Sequence, residues 1–464
     1  MILAAAALAI VVQDHTALRS APRATATELT AFWQGDVVEL RGERAGYVKV
    51  YDYRRERGGY VRGESLRPLG LGAEDAPALL TVLRFLRDTP GAESLGISYG
   101  AAYLKAVPAG QLTAEAFDAI GRMAERLADQ ASGKGSPRVA AHLEVVEQFG
   151  IHMRSFERGG RMQMCYDGEL YRRALTLPAA TGEERAHAAL ALTRADCIDP
   201  AQPPLARAAL DEERRRILDK VDDRALSALT RSRLHARRAT VWAALAFEQA
   251  RHGASPAVAA ERALGELAAV QAGDLGADRR DQYLEATVRV AAVRWGALNP
   301  PSQTAPLSLT ASAGAPGQTC ITLADTRSRP PQARVRRCTY GVVWLASAQS
   351  FAQGRALALA VQPLPSWREL WVFHAQPEGW TVDVISPGLD APEIGYVDFA
   401  GFVPATRRLL VAREARTRAG FTRRFEELRL DDLALVKQAS APELLADFGR
   451  WQDVTWRRDT LSLH

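Results

Sequence analysis

The pentapeptide Gly96-Ile97-Ser98-Tyr99-Gly100 has the G-x-S-x-G spacing of a serine nucleophile elbow. An elbow holds the serine on a tight turn between a buried strand and a helix, where a base can take its proton. Here RDTPGAESL precedes it, a loop by composition, and no alternating β/α pattern follows. Ser98 is therefore expected at a helix start, with a serine-type hydrolase as the alternative reading. The eight histidines, at 15, 142, 152, 187, 235, 252, 374 and 464, form no H-E-x-x-H or H-x3-H pair. His235 falls on an arginine-rich helix face and His374 in a strand, so both read as surface or packed residues. Asp222-Asp223 and Asp431-Asp432 sit in turn or helix-start contexts, where carboxylates accept free backbone N–H groups. Lys134 in SGKGSP lacks the glycine spacing of a phosphate loop. No catalytic residue, metal or cofactor is expected.

A different chemistry is written in GDVVELRGERAGYVKVYDYRRERGGYVR, residues 35 to 62. Tyr51 and Tyr53 lead into a basic hairpin tip carrying Arg54, Arg55 and Arg57. An exposed aromatic pair beside three guanidinium groups suits a peptide or carboxylate ligand. The competing reading is a solvated hairpin whose charges shield an edge strand. Five C-terminal tryptophans, Trp367, Trp371, Trp380, Trp451 and Trp456, would suit a saccharide or peptide groove, but core packing of a β-domain accounts for them more simply. The charged runs RRRILDK and RLHARR lie within mixed-charge helical sequence and read as solvated faces.

Cys165 and Cys197 form one close pair in sequence, and Cys320 and Cys338 another. Nearest-neighbour disulfides formed in an oxidising compartment are the expected pairing among the three possible. Zinc is the rival, without C-x-x-C spacing or a histidine at ligand distance in sequence. Four reduced thiols in a cytosolic protein are the other alternative. The N-terminus points toward export: residues 2 to 12 are an apolar run too short to span a bilayer, and Ala7-Leu8-Ala9 has the small-x-small pattern of a signal cleavage site. No Lys or Arg precedes Arg19, so a first β-strand is the alternative for this run.

The elements that would carry these residues fall into three regions. At 464 residues the chain exceeds one core. Its net charge of +5 would suit an anionic partner, but only five of the 59 cations are lysines and the arginines are spread throughout. No nucleic-acid partner is expected. Residues 11–69 alternate with period two between glycine punctuations, with Val48 and Val50 on one face and Tyr47, Lys49, Tyr51 and Tyr53 on the other. Residues 74–298 turn helical, as in ALLTVLRFLRD, LTAEAFDAIGRMAERLADQ and ALSALTRSRLHARRATVWAALAFEQARHG. Residues 299–317, rich in Pro, Ser, Ala and Gly, read as a linker, and 318–464 as an all-β domain with seven strands from 338 onward. The expected fold is multidomain α+β: a leader (1–10), a small β-barrel, an all-α bundle or solenoid, and a β-meander domain.

Three stretches resemble a bacterial SH3 domain: ALRSAP (17–22), WQGDVVELRGERAGYVKV (33–50) and GGYVRGESLRPL (58–69). Gly46-Tyr47-Val48 and Gly59-Tyr60-Val61 match that family's two Gly-aromatic-Val units, with Tyr where Trp is commoner, and Ala17 stands where the family often has Asn. The resemblance covers about 60 residues and implies an SH3-like barrel with Tyr47 and Tyr60 within it or at its mouth. It further implies a grip built on Trp33, Tyr47, Tyr51, Tyr53 and Tyr60, and a ligand that is peptidoglycan or an envelope protein. The segment VWAALAFEQARHGASPAVAAERALGELAAV is weakly similar to a tetratricopeptide repeat at Trp242, Leu245, Ala246 and Gly253, and the two last meanders resemble β-propeller blades. Together these imply a periplasmic or secreted binding or scaffolding protein, with no transmembrane segment. The alternative is an envelope hydrolase using Ser98, targeted by the same module.

Overall fold

The computed structural model describes residues 7–133, 135–276, 280–299, 306–327, 331–388, 394–418 and 420–459. Residues 1–6 of the expected leader, Lys134, residues 300–305 of the expected linker and His464 lie outside them. The fold is mixed α+β and divides into two compact units, Met1–Pro203 with Val221–Leu226, and Pro204–Lys220 with Ser227–His464. The helical stretch 74–298 is thus shared between the units.

In the first unit, β1 (Leu8–Val11), β2 (Thr16–Arg19), β3 (Glu28–Phe32), β4 (Val37–Arg44), β5 (Tyr47–Asp52), β6 (Arg57–Arg62) and β7 (Leu66–Leu69) form an antiparallel sheet in the order β3-β2-β6-β5-β4-β1-β7. Each strand sends an apolar side chain into one core: Val11, Leu18, Phe32, Val38, Val50, Val61 and Leu66. The sheet curls around that core, but no pairing joins β3 to β7 among the described residues, so the expected closed barrel is not seen. At the β3 edge Leu29 is bulged out of the β2–β3 register, and its carbonyl accepts from the Arg57 guanidinium. Leu8–Val11 lies between β4 and β7 with Ala9, Ile10 and Val11 fully buried. A cut after Ala9 would fall inside this strand.

The same unit continues with α1 (Ala76–Arg87), α2 (Glu93–Ala106), α3 (Ala114–Ala131), α4 (Pro137–Glu147), β8 (Met153–Arg158), β9 (Arg161–Tyr166), α5 (Glu169–Thr176) and α6 (Gly182–Leu192). Leu79, Leu83 and Leu86 recur at helical spacing on the buried face of α1, and Leu79 and Leu83 join Ile97, Ile120, Met123, Val146 and Tyr171 in a second core. Caps set the helix starts: Ser136 accepts from the Val139 N–H, and Thr181 and Glu184 form a reciprocal capping box. The hairpin β8–β9 interrupts what reads as continuous helix. Gly159 and Gly160 both adopt positive φ (59° and 74°) at its tip, the conformation a two-residue hairpin turn requires. A disulfide between Cys165 and Cys197 ties the hairpin to the segment after α6. Closing a 32-residue separation stabilises the fold by roughly 3–4 kcal/mol in the chain-entropy picture.

The second unit opens with α7 (Pro204–Asp219), α8 (Ala228–Arg251), α9 (Ala257–Ala268) and α10 (Arg280–Val293). Arg238 on α8 donates to the Leu218 carbonyl of α7, which fixes that helix pair. Next come β10 (Leu307–Ala313), β11 (Thr319–Asp325) and β12 (Gln332–Thr339), a three-stranded antiparallel sheet with Cys320 and Cys338 bonded across β11 and β12. Residues 307–313 were expected within the linker. They form a strand because every residue of β10 pairs with β11, although the outer four are exposed.

The larger sheet holds β13 (Val342–Phe351), β14 (Ala356–Leu364), β15 (Trp367–Gln376), β16 (Gly379–Ile385), β17 (Gly395–Val403), β18 (Arg408–Thr417), β19 (Gly420–Arg429) and β20 (Leu435–Ala439). It consists of two four-stranded meanders joined by a short parallel pairing of β15 with β17. Period-two alternation sends Leu357, Leu359 and Val361 toward Leu307, Ile321 and Leu323 of the small sheet. Ala356 and Ala358 point the other way, toward Val397, Leu409 and Val411 of the second meander. Two short helices, α11 (Ala446–Trp451) and α12 (Val454–Asp459), cover Ala400, Leu410 and Phe425 with Phe448 and Trp456. Trp367, Trp371 and Trp456 are buried and Trp380 and Trp451 half-buried, so these rings pack cores rather than line a groove. Where α10 meets the sheet, Asp398 bridges two buried guanidinium groups, Arg294 (2.8 Å) and Arg368. Burial lowers Arg368 to about 10 despite its contact with Asp398.

Candidate recognition site on the N-terminal sheet

The hairpin β5–β6 turns through residues 53–56, with Glu56 at positive φ (48°). Asp52 organises that turn: its carboxylate accepts from the Arg54 N–H (3.0 Å) and from the Arg55 guanidinium (2.9 Å). Arg55 also reaches Asp36 at 3.3 Å and lies over the Phe32 ring, so it clamps the turn to the sheet. Arg54 donates to the Glu144 carbonyl at the end of α4 (2.8 Å), and Arg57 to the Leu29 carbonyl (3.1 Å). All three guanidinium groups expected to read a ligand are therefore engaged within the unit.

The tyrosines separate by face and depth. Tyr47 is buried, with Arg62 beside its ring, and Tyr60 is half-buried opposite Lys49 and Arg19. Trp33 packs against His15 at a tilt (4.1 Å between ring centroids) and meets His142 edge-on, so its aromatic neighbours are these rings and not the tyrosines. His142 in turn meets Asp14 at 2.9 Å, and Arg138 meets the other Asp14 oxygen at 2.8 Å. Tyr51 and Tyr53 do form a pair, edge to face at 5.0 Å, and Tyr53 is 65% exposed. Arg41 covers the Tyr51 ring at 4.0 Å and donates to Glu39, which also accepts from the Tyr53 hydroxyl. Hydrogen bonding to Glu39 is the main cause holding Arg41 above its ordinary pKa.

Strand register explains why these side chains meet. Leu69, Leu8, Glu39 and Tyr51 are direct cross-strand partners on β7, β1, β4 and β5, and so share the sheet's outer face. Helix α2 passes beside the apolar end of that row. Between them lies a cavity of about 250 Å³, lined on the sheet side by Leu8, Val37, Leu69 and Leu71 and on the other by Ala101, Ala102 and Phe149. Its polar lining is Glu39, Asp52, Tyr53, Arg54, Ser98, Lys105 and Gln148. Glu39, Arg41 and Lys105 carry no sequence signature. Glu39 is recoverable once β4 and β5 are registered against each other, whereas Lys105 and Phe149 come from elements distant in sequence.

Ser98 has no elbow. It lies inside α2, is 1% exposed, and its hydroxyl donates to the Gly35 carbonyl (2.7 Å), with the Ser94 carbonyl at 3.0 Å. Gly96 and Gly100 are helical contact points rather than turn residues: a Cβ at either would run into Met123 or Ile120. The helix-start expectation is corrected too, since α2 begins at Glu93. Elsewhere, Asp222 and Asp432 accept backbone N–H groups in turns, as expected of them. Among the described residues no three His, Cys, Asp or Glu side chains converge as metal ligands, and no helix is long and apolar enough to cross a membrane. The four cysteines form the two nearest-neighbour disulfides, a state compatible with a periplasmic or extracellular setting. In comparisons with known proteins, no family model, curated protein or solved structure matches this chain.

Proposed function

We propose that this is an exported cell-envelope binding or scaffolding protein whose N-terminal sheet acts as an SH3-like module. It recognises an extended peptide belonging to peptidoglycan or to an envelope protein. The observation that carries this reading is the exposed Tyr53, held edge to face against Tyr51 at the rim of an apolar cavity. Aromatic side chains with a polar tip beside a desolvated pocket are the usual anchors of peptide interfaces. Tyr53 holds its ring in place through Glu39 and Tyr51, so little conformational freedom is lost on binding. The two disulfides support the oxidising setting that such a ligand implies.

The test is co-sedimentation of the full chain with purified peptidoglycan sacculi, beside Tyr53→Ala. Binding by wild type that weakens about tenfold or more in the variant is expected, the loss typical of an interface hot spot. Equal sedimentation of both proteins would remove Tyr53 from the site. If neither sediments, the wall is excluded, and capture of an envelope protein that depends on Tyr53 becomes the required result.

A further inference from the structure

The cavity beneath Tyr53 has a charge pattern that selects among peptides. Four ionised side chains line it. Glu39 is taken by Arg41 and Tyr53, Asp52 by Arg55 and the Arg54 N–H, and Arg54 by the carbonyl and carboxylate of Glu144. Lys105, in the last turn of α2, is exposed and has no hydrogen bond or ion pair among the described residues. The charge still open at the cavity is therefore a cation beside an apolar hollow. Gln148, also exposed and without a side-chain partner among the described residues, adds one amide donor and one acceptor.

Resting on the peptide-binding reading above, we infer that this cavity receives the C-terminal residue of a peptide. Its apolar side chain enters the hollow lined by Leu8, Leu69, Leu71, Ala101 and Phe149, and its terminal carboxylate pairs with Lys105. A free carboxylate neutralises the one open charge, and Gln148 matches the last peptide unit. A fatty acid would satisfy Lys105 but leave the Gln148 amide unmatched. An internal peptide segment, or a C-terminal amide, brings no charge to Lys105. An acidic last side chain would be buried against Leu8 and Leu69 at a desolvation cost.

The experiment titrates the full chain calorimetrically with acetyl-Ala-Ala-X, where X is Ala, Val, Leu or Phe, each as free acid and as amide. Wild type is expected to bind at least one free acid about tenfold or more tightly than its amide, and Lys105→Met to abolish that preference. Lys105 is solvent-exposed, so the variant should fold, with wild-type circular dichroism as the check. Equal binding of acid and amide, or a preference that survives Lys105→Met, overturns the inference. Tighter binding of octanoate than of any tripeptide also overturns it. If no tripeptide binds while Tyr53-dependent sedimentation with sacculi persists, the C-terminal inference falls and the proposed function stands. If Tyr53-dependent binding of wall and envelope protein is absent as well, both fall.

Discussion

Asp14 shows how a single carboxylate is drawn into structural work. Burial raises its pKa, but the hydrogen bond from His142, the N–H of Gln34 and the charge of Arg138 outweigh that and hold it below the ordinary value. The sign of the linkage follows. A lowered folded pKa adds stability above the unfolded value of about 3.9, and that stability is lost as pH falls through the folded value. Asp14→Asn should cost about 1.5–3 kcal/mol at pH 7, the range for hydrogen bonds to a charged group. The gap to wild type should narrow between about pH 5 and pH 3. Urea midpoints at three pH values measure this, and a gap independent of pH would show that Asp14 does not act through its charge. The same logic applies to the hairpin arginines expected to read a ligand. Arg54, Arg55 and Arg57 each found an acceptor within the unit, leaving the tyrosines and Lys105 for a ligand.

At the scale of elements, the loop before β4 and the helix α2 are held together at one glycine. Gly35 has φ of +94°, and a Cβ there would sit 2.8 Å from the Ser94 carbonyl oxygen and 2.9 Å from the Ser98 hydroxyl. Ser94 and Ser98 donate to the carbonyls of Gln34 and Gly35, so the close approach is also where the two elements bond. Gly35→Ala should therefore destabilise by about 1–3 kcal/mol or more, combining backbone strain with overpacking. It should also weaken ligand binding, because α2 forms one wall of the cavity. Chemical denaturation and sacculus co-sedimentation read the two effects separately. A fully stable variant with intact binding would mean that the contact has slack.

For the whole molecule, each compact unit has its own buried cores and is expected to unfold in its own transition. Asp398→Ala provides the assignment. Removing the only carboxylate bonded to Arg294 and Arg368 among the described residues leaves two buried guanidinium groups uncompensated, at a cost of about 3–5 kcal/mol. In scanning calorimetry of the full chain, one transition should fall in temperature while the other stays fixed. Gly35→Ala should displace the opposite one. A single transition shifted by both variants would show that the chain unfolds as one cooperative body.

Local patterning by itself determined much of this protein. Period-two alternation marked β4 to β6 and put Tyr47, Lys49 and Tyr51 on one face. Helical spacing marked α1, α3 and α8, and proximity in sequence chose the cysteine partners. These are interactions between near neighbours, and near neighbours are what a sequence displays. Gly159-Gly160 carried a hairpin signal for β8–β9 that the helical sequence around it obscured. The strand β10, with sequence LSLTASA, has the small polar composition of a linker, and only its pairing with β11 makes it a strand. The tertiary structure alone decided that the sheet stays open, that Ser98 is locked inside a helix, and that the three hairpin arginines find acceptors within the unit. It alone brought Lys105 to Leu8 and Tyr53, because the register of β1 against β4 and β7 and the docking of α2 depend on burial between segments far apart in the chain.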